Sequence, residues 1–119
     1  RPYDLYDAGV AVGLGQDDIE DAYYPLGRHN MLEVAFLAAH ILGDLRPHRL
    51  RTVFDMITVS GARALGVQDH DLAAGNPANL VVLHGRTLRE VLIHHAPPRT
   101  VISRGAVVAE STSHTEFHI

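Results

Sequence analysis

Five small and β-branched residues in a row, Val10-Ala11-Val12-Gly13-Leu14, end on Gly15 and give way at once to a cluster of acids. A continuous apolar run bounded by glycines has no polar side to offer water, so it reads as a strand buried on both faces. Strands of that kind belong to parallel sheets covered by helices. The acids that follow are Asp17, Asp18, Glu20 and Asp21, with Gln16 just before them. Carboxylates massed at the C-terminal end of a buried parallel strand lie where α/β barrels place their chemistry. An aromatic turn, Tyr23-Tyr24-Pro25-Leu26-Gly27, comes next, and a helix is expected from about Arg28. Strand, acidic tip, aromatic loop and helix make one βα unit of a larger sheet or barrel, with the tip as the candidate active element.

These residues resemble the eighth-strand segment of the cytosine deaminase branch of the amidohydrolase superfamily. In that branch a G-x-D-D stretch leads into a D-P-W-Y-P-L-G turn and an N-M-L helix start. The matching residues here are Gly15-Gln16-Asp17-Asp18, then Asp21-Ala22-Tyr23-Tyr24-Pro25-Leu26-Gly27, then Asn30-Met31-Leu32. Ala22 stands in place of proline and Tyr23 in place of tryptophan. Further along, the helical segment around Ser60-Gly61-Ala62-Arg63-Ala64-Leu65-Gly66 resembles the superfamily signature T-x-x-(G/A)-A-(K/R)-x-L-G, and the stretch leading to Leu80-Val81-Val82-Leu83 resembles its G-x-x-A-D-L-V-V-L segment. The likeness runs to about Ala109, with the motifs in the same order. It implies an α/β fold: the C-terminal part of a (β/α)8 metal-dependent hydrolase barrel plus strands of a small β-sandwich domain. Residues 1–68 would be the last strand and C-terminal helices of the barrel, residues 69–110 the sandwich strands, and residues 111–119 a tail.

The residues themselves leave Asp17 two readings. A carboxylate at the end of a buried strand can ligate a divalent metal and take a proton from its bound water. It can equally be a loop acid or helix cap. The resemblance implies the first, placing the family's metal-binding, proton-shuttling aspartate at Asp17. It also sets Asp18 near the substrate ring, where the plain alternative is a solvated loop acid. Tyr23 matches an aromatic that lines the family's pocket and can stack on a flat heterocycle, against the alternative of a packing tyrosine. Glu20 and Asp21 read as loop charges or caps.

Nine histidines suggest a metal site, but their spacing does not supply one. There is no H-x-H; His94 and His95 are adjacent; His114 and His118 lie in the tail; His29 and His40 are expected on the helix, where packing accounts for them. The H-x-H pair, the later histidines and the proton-shuttling glutamate that the resemblance calls for are missing. A complete barrel needs roughly 250 residues, against 119 here. The chain therefore reads as the C-terminal third of such an enzyme. The implied cofactor is a divalent metal, Zn or Fe, held mostly by residues outside this chain. The implied reaction is hydrolysis of a C–N bond of a nitrogen heterocycle or cyclic amidine such as cytosine. The implied partners are that small molecule, the remainder of the barrel and a second copy in a homo-oligomer. A reading from another class treats the chain as a non-catalytic αβ module serving packing or oligomerisation.

Composition narrows the field further. The chain has room for one domain at most. A formal charge of −4 argues against a nucleic-acid binder, which shows a basic face. The absence of cysteine excludes disulfides and thiolate ligands. No apolar run approaches the ~18 residues of a membrane span, no secretory signal is present, and a cytoplasmic enzyme incomplete at its N-terminus is expected. The remaining elements follow from local signals. Leu5 to Ala8 before Gly9 fits a last helical turn. Met31, Leu32, Ala35, Phe36, Ala38, Ala39 and Leu42 give a helix to Leu42 a broad apolar face, widened by Leu37 and Ile41 until most of its circumference should be covered. Pro47 opens a second helix with Leu50, Val53, Phe54 and Ile57 as its buried stripe. Gly66 ends a short third one, and 87–93 suggests a fourth. Thr100–Ser103, Arg104-Gly105 and Ala106–Ala109 form a hairpin signal.

Overall fold

The computed structural model describes residues 1–17, 21, 22, 24–112, 114, 116 and 118. In chain order the elements are α1 (Pro2–Asp7), α2 (Met31–Leu42), α3 (Pro47–Met56), α4 (Val59–Ala64), β1 (Leu80–Val82), α5 (Leu88–His94), β2 (Thr100–Ser103) and β3 (Ala106–Glu110). The result is a small α/β unit whose strands form one three-stranded antiparallel sheet in the order β1-β2-β3.

Helix boundaries fall where local chemistry sets them. The Asn30 side chain accepts from the Leu32 amide (3.0 Å) and starts α2, three residues later than Arg28. Both His29 (φ 53°) and Arg28 therefore precede the helix. Gly43 stops it in the left-handed conformation that a side chain disfavours. Pro47 opens α3 at the position where a missing N–H costs nothing. The Thr87 side chain accepts from the Glu90 amide and caps α5. Arg104 (φ 50°) and Gly105 (φ 82°) both take positive φ, as a two-residue hairpin turn matching strand twist requires. The hairpin carries a register shift between Val101 and Ile102, which pair with Ala109 and Val107, so Val108 is the extra residue on β3.

The core sits between α2, α3 and α5. Leu32, Ala35 and Ala39 of α2 meet Leu50 and Val53 of α3 and Val91 and Leu92 of α5. Val53 and Met56 are the largest fully buried side chains. Two expectations are corrected. The buried stripe of α3 is Leu50, Thr52, Val53 and Met56, with Phe54 and Ile57 only half-buried. On α2 the broad apolar face is only partly covered: Leu37 is 43% exposed and Ile41 82%. Apolarity marks what can be buried, whereas cover needs a facing element, and this side of α2 opens onto a groove shared with the segment Leu14 to Asp17 and with Tyr24.

The run 10–14 differs from expectation too. Among the described residues it carries no sheet ladder. A strand exists only through its neighbours' backbone groups, and here those groups are replaced by a side chain and a helix end. The Val12 amide donates to Ser60 Oγ (3.1 Å), and the Ser60 hydroxyl donates to the Val12 carbonyl (2.7 Å). The Leu14 amide donates to the carbonyl of Met56, the last residue of α3 (3.0 Å). The segment is thus tied to the α3–α4 corner.

Candidate functional site

The tie at Val12 and Leu14 delivers the chain to Gly15, Gln16 and Asp17. Asp17 is exposed and lines a groove of about 340 Å³ together with Leu14, Gly15, Gln16, Tyr24 and the flank of α2 at Val34, Leu37, Ala38 and Ile41. A carboxylate at the mouth of an apolar groove is an arrangement suited to a flat, polar-edged molecule. Beside it, both side-chain polar atoms of Gln16 are buried without a hydrogen-bond partner. The loop that follows is pinned by Asp21, whose carboxylate accepts from the Tyr24 amide (2.7 Å). Expected as a loop charge or cap, Asp21 here braces a turn of the loop. Asp18, Glu20 and Tyr23 lie outside the described residues.

Two larger clefts exist elsewhere. One of about 780 Å³ runs between the α3–α4 corner and the sheet, past Phe54, Thr58, Val81 and Ile102. Another of about 540 Å³ lies by Arg28, Met31, Phe54 and Pro98. Neither reaches Asp17. Both are larger, and the wider one is also lined by Arg51, Asp55, His70 and Asp71; the acidic tip is the candidate to which the sequence motif points.

The histidines take structural places. His40 Nδ1 lies 2.8 Å from the Phe36 carbonyl one turn back, with its ring 4.3 Å from that of Phe36. The His95 ring approaches the same Phe36 at 4.8 Å, and its carbonyl accepts from the Asn30 side-chain amide (2.7 Å). Among the described residues no group of three or more His, Asp or Glu is placed to hold a metal ion. The donor set therefore does not fit a metal by itself; Asp17 offers one carboxylate. None of the helices, searched over the described residues, is long and apolar enough to cross a membrane.

The strongest electrostatics lie outside the Asp17 groove, where α1 meets α3. Arg49 donates to both carboxylate oxygens of Asp7 (2.8 and 2.7 Å), and its guanidinium stands 4.6 Å from the centre of the Tyr3 ring. Hydrogen bonds from Arg49 hold the Asp7 carboxyl below the usual carboxylate range, and those from Arg46 do the same for Asp44. Burial, then the hydrogen bond to Asp55, raises the Tyr6 hydroxyl. These contacts fasten α1 and play no part at the acidic tip.

One residue close to the site escaped the motif reading. Ser60 is 3% exposed and bonds a residue 48 positions away. Its only sequence signal is a small hydroxyl residue inside a stretch of small helical residues.

Comparison with known proteins finds relatives along nearly the whole chain. The model of the Amidohydrolase family matches residues 4–109. An N-isopropylammelide isopropyl amidohydrolase of Pseudomonas sp. (strain ADP) is 32% identical over 108 residues, covering 89% of this chain and 27% of that protein. A pterin deaminase of Rhizobium rhizogenes (strain K84 / ATCC BAA-868) is 33% identical over 110 residues, covering 92% of this chain and 25% of that protein. The crystal structure of 5-methylcytosine deaminase from Klebsiella pneumoniae, liganded with phosphonocytosine, superposes with a TM-score of 0.88 at 34% identity, over 98% of this chain and 28% of that one. That of N-isopropylammelide isopropylaminohydrolase from Burkholderia multivorans ATCC 17616 gives 0.85 at 31% identity, over 91% of this chain and 28% of the other. The chain thus spans about a quarter of the length of the relatives it matches. With the family model matched across nearly its whole length, the chain belongs to the amidohydrolase family.

Proposed function

We propose that this chain supplies the C-terminal part of a (β/α)8 hydrolase that breaks a C–N bond of a nitrogen heterocycle, releasing ammonia or an amine. The observation that carries the reading is the coincidence of two things at one place. Residues that superpose on a 5-methylcytosine deaminase with a TM-score of 0.88 present an exposed carboxylate, Asp17, at the mouth of an apolar groove. In this reading residues 1–68 close the barrel, residues 69–110 belong to a β-sandwich, and residues 111–119 are a tail.

Asp17 accepts a proton from the attacking water and hands it to the leaving nitrogen. Water's oxygen forms a bond to the ring carbon, the C–N bond breaks, and the nitrogen departs with the proton Asp17 carried. Asp18 and Tyr23 contact the ring, Tyr23 by stacking. Asp17 would also contribute one ligand to a divalent metal, Zn or Fe, with the remaining ligands supplied from outside these residues. Such an ion would supply Lewis-acid chemistry when bound.

The test is Asp17→Asn in the intact enzyme, assayed for ammonia or amine release from cytosine, pterin and N-isopropylammelide. Loss of a general base is expected to cut kcat by about 10²–10⁴-fold, with the fold retained by circular dichroism. Turnover near the wild-type level on whichever substrate is used removes Asp17 from the mechanism.

A packing or oligomerisation role is the second reading, favoured by Ile41 at 82% exposure on an otherwise apolar helix. Ile41 also lines the Asp17 groove, so the variant that separates the two is Val108→Lys, exposed on β3 and outside that groove. A change of oligomeric state with unchanged kinetics supports it.

A further inference from the structure

We infer that Ser60 is a positioning residue for the acidic tip, holding the backbone that carries Asp17 by clamping both polar groups of Val12. The inference rests on the reading of Asp17 given above and adds to it how the carboxylate is held.

The geometry has three parts. First, one hydroxyl serves two backbone groups of a single residue: Ser60 Oγ accepts from the Val12 N–H at 3.1 Å and donates to the Val12 C=O at 2.7 Å. A hydroxyl is the smallest side chain able to do both, with one donor and two lone pairs. It imitates the pair of bonds a neighbouring strand would give. Second, the clamp is shielded on the Ser60 side. Ser60 is 3% exposed and Val12 half-buried, so removing the hydroxyl leaves two partly buried backbone groups without their protein partner. Third, the approach is close because both sides lack side chains. A Cβ on Gly13 would lie 3.3 Å from the Gly61 Cα and 3.6 Å from the Ala64 Cβ. The next bond along, from the Leu14 amide to the Met56 carbonyl, continues the tie toward the tip.

From Val12 the chain runs five residues to Asp17, and those two bonds plus the one at Leu14 are its long-range backbone ties among the described residues. Asp17 itself is exposed, so packing does not hold it. Its position depends on the segment behind it. The first member of the small-residue stretch Ser60-Gly61-Ala62 thus fixes the segment from whose end the carboxylate projects.

The experiment compares Ser60→Ala with Val53→Ala in the intact enzyme. Val53 is fully buried in the core and lies outside this clamp, so its truncation reports what lost stability alone does. Three quantities are read on each variant: kcat and KM, thermal stability, and amide exchange at Val12 and Leu14. For Ser60→Ala the expected result is exchange at Val12 at least about tenfold faster and kcat lower by about 10- to 100-fold, as for a catalytic group displaced by roughly an ångström. KM should stay within about threefold, since the substrate's other contacts are untouched. For Val53→Ala, assayed well below its melting temperature, kcat should stay within about threefold. The inference is overturned if Ser60→Ala keeps kcat within threefold while Asp17→Asn abolishes turnover, or if Val53→Ala loses kcat to the same degree. If Asp17→Asn itself retains turnover, the reading of Asp17 falls first and takes this inference with it.

Discussion

Gly61→Ala tests the corner on which the acidic tip hangs, and its sign is not obvious in advance. Gly61 lies inside α4 without a positive φ, so on helix propensity alone alanine should stabilise by about 0.8–1.0 kcal/mol. Space decides against it. A Cβ there would sit 2.8 Å from the Met56 carbonyl oxygen. One of the two must give by roughly half an ångström before an ordinary contact is restored. The obstacle is backbone, which does not swing aside, and overpacking of this kind costs ~1–3 kcal/mol. The same oxygen accepts from the Leu14 amide, so moving it also weakens a bond worth ~0.5–1.5 kcal/mol. Taken together the costs exceed the propensity gain, and a net destabilisation of about 2 kcal/mol is expected. Gly13→Ala provides the graded comparison. Its Cβ would meet the Gly61 Cα at 3.3 Å, tight but able to relax, so its loss should be smaller. The assay is equilibrium denaturation of both variants beside wild type, with amide exchange read at Leu14. Gly61→Ala at or above wild-type stability, or Gly13→Ala as the worse of the two, would refute the argument that the Met56 carbonyl is the limiting contact.

Other expectations follow from single contacts. Asn30→Ala removes the cap on α2 and the donor to the His95 carbonyl and should cost about 1–2 kcal/mol; no loss in denaturant unfolding would mean the cap is redundant. Acid should loosen α1 through Asp7 and the α2–α3 connection through Asp44: the two carboxyls are held below their ordinary range by Arg49 and Arg46 respectively, so the pairs contribute fully above the unfolded carboxylate pKa of ~3.9 and lose that contribution as pH falls through the folded values. The chain has no tryptophan, so tyrosine fluorescence, with Tyr3 beside Arg49, can follow the change; a transition that persists unaltered in Arg49→Met would assign it elsewhere. The 119 residues produced alone should release no ammonia from cytosine and hold no stoichiometric metal, since no group of three or more ligating side chains is assembled among the described residues and a catalytic zinc typically takes three. One tightly held ion per chain on metal analysis would overturn that.

Where an element begins or ends, the cause is local and the sequence shows it. Asn30, Gly43, Pro47, Gly66 and the Arg104-Gly105 turn each act within a residue or two of themselves, so their chemistry needs no knowledge of the rest of the fold. What covers a face is different in kind. Leu37 and Ile41 are as apolar as Leu32, yet Leu32 is 7% exposed and Ile41 82%. Nothing in a residue's own character states whether another element lies against it. The run 10–14 illustrates the same limit. Its apolarity predicts buried backbone, yet Val10 is 49% exposed and Gly13 is exposed too, and its hydrogen-bond partners are a serine 48 residues away and a helix end. Asp17 was legible as a candidate because residue type and motif order point to it, whereas Ser60 was not, because a hydroxyl's purpose depends on what lies opposite.

The distribution of exposed apolar side chains bears on the choice between the two functional readings. Leu37 and Ile41 lie on one flank of α2 beside Asp17, and Val107 and Val108, at 57% and 60% exposure, lie on β3, the outer strand of the sheet. Two separate apolar surfaces, one on the helical side and one on the sheet, are more than a single two-fold interface between copies would cover, because such an interface uses one self-complementary patch. In the proposed hydrolase both would have a use: the α2 flank would close against the barrel, and β3 would face the remaining strands of the sandwich. The carboxylate at the edge of the α2 groove then lies where those added elements would exclude water, and exclusion of water strengthens every electrostatic contact Asp17 makes. On that ground the hydrolase reading accounts for the placement of Asp17 and for both uncovered faces, whereas the packing module accounts for at most one.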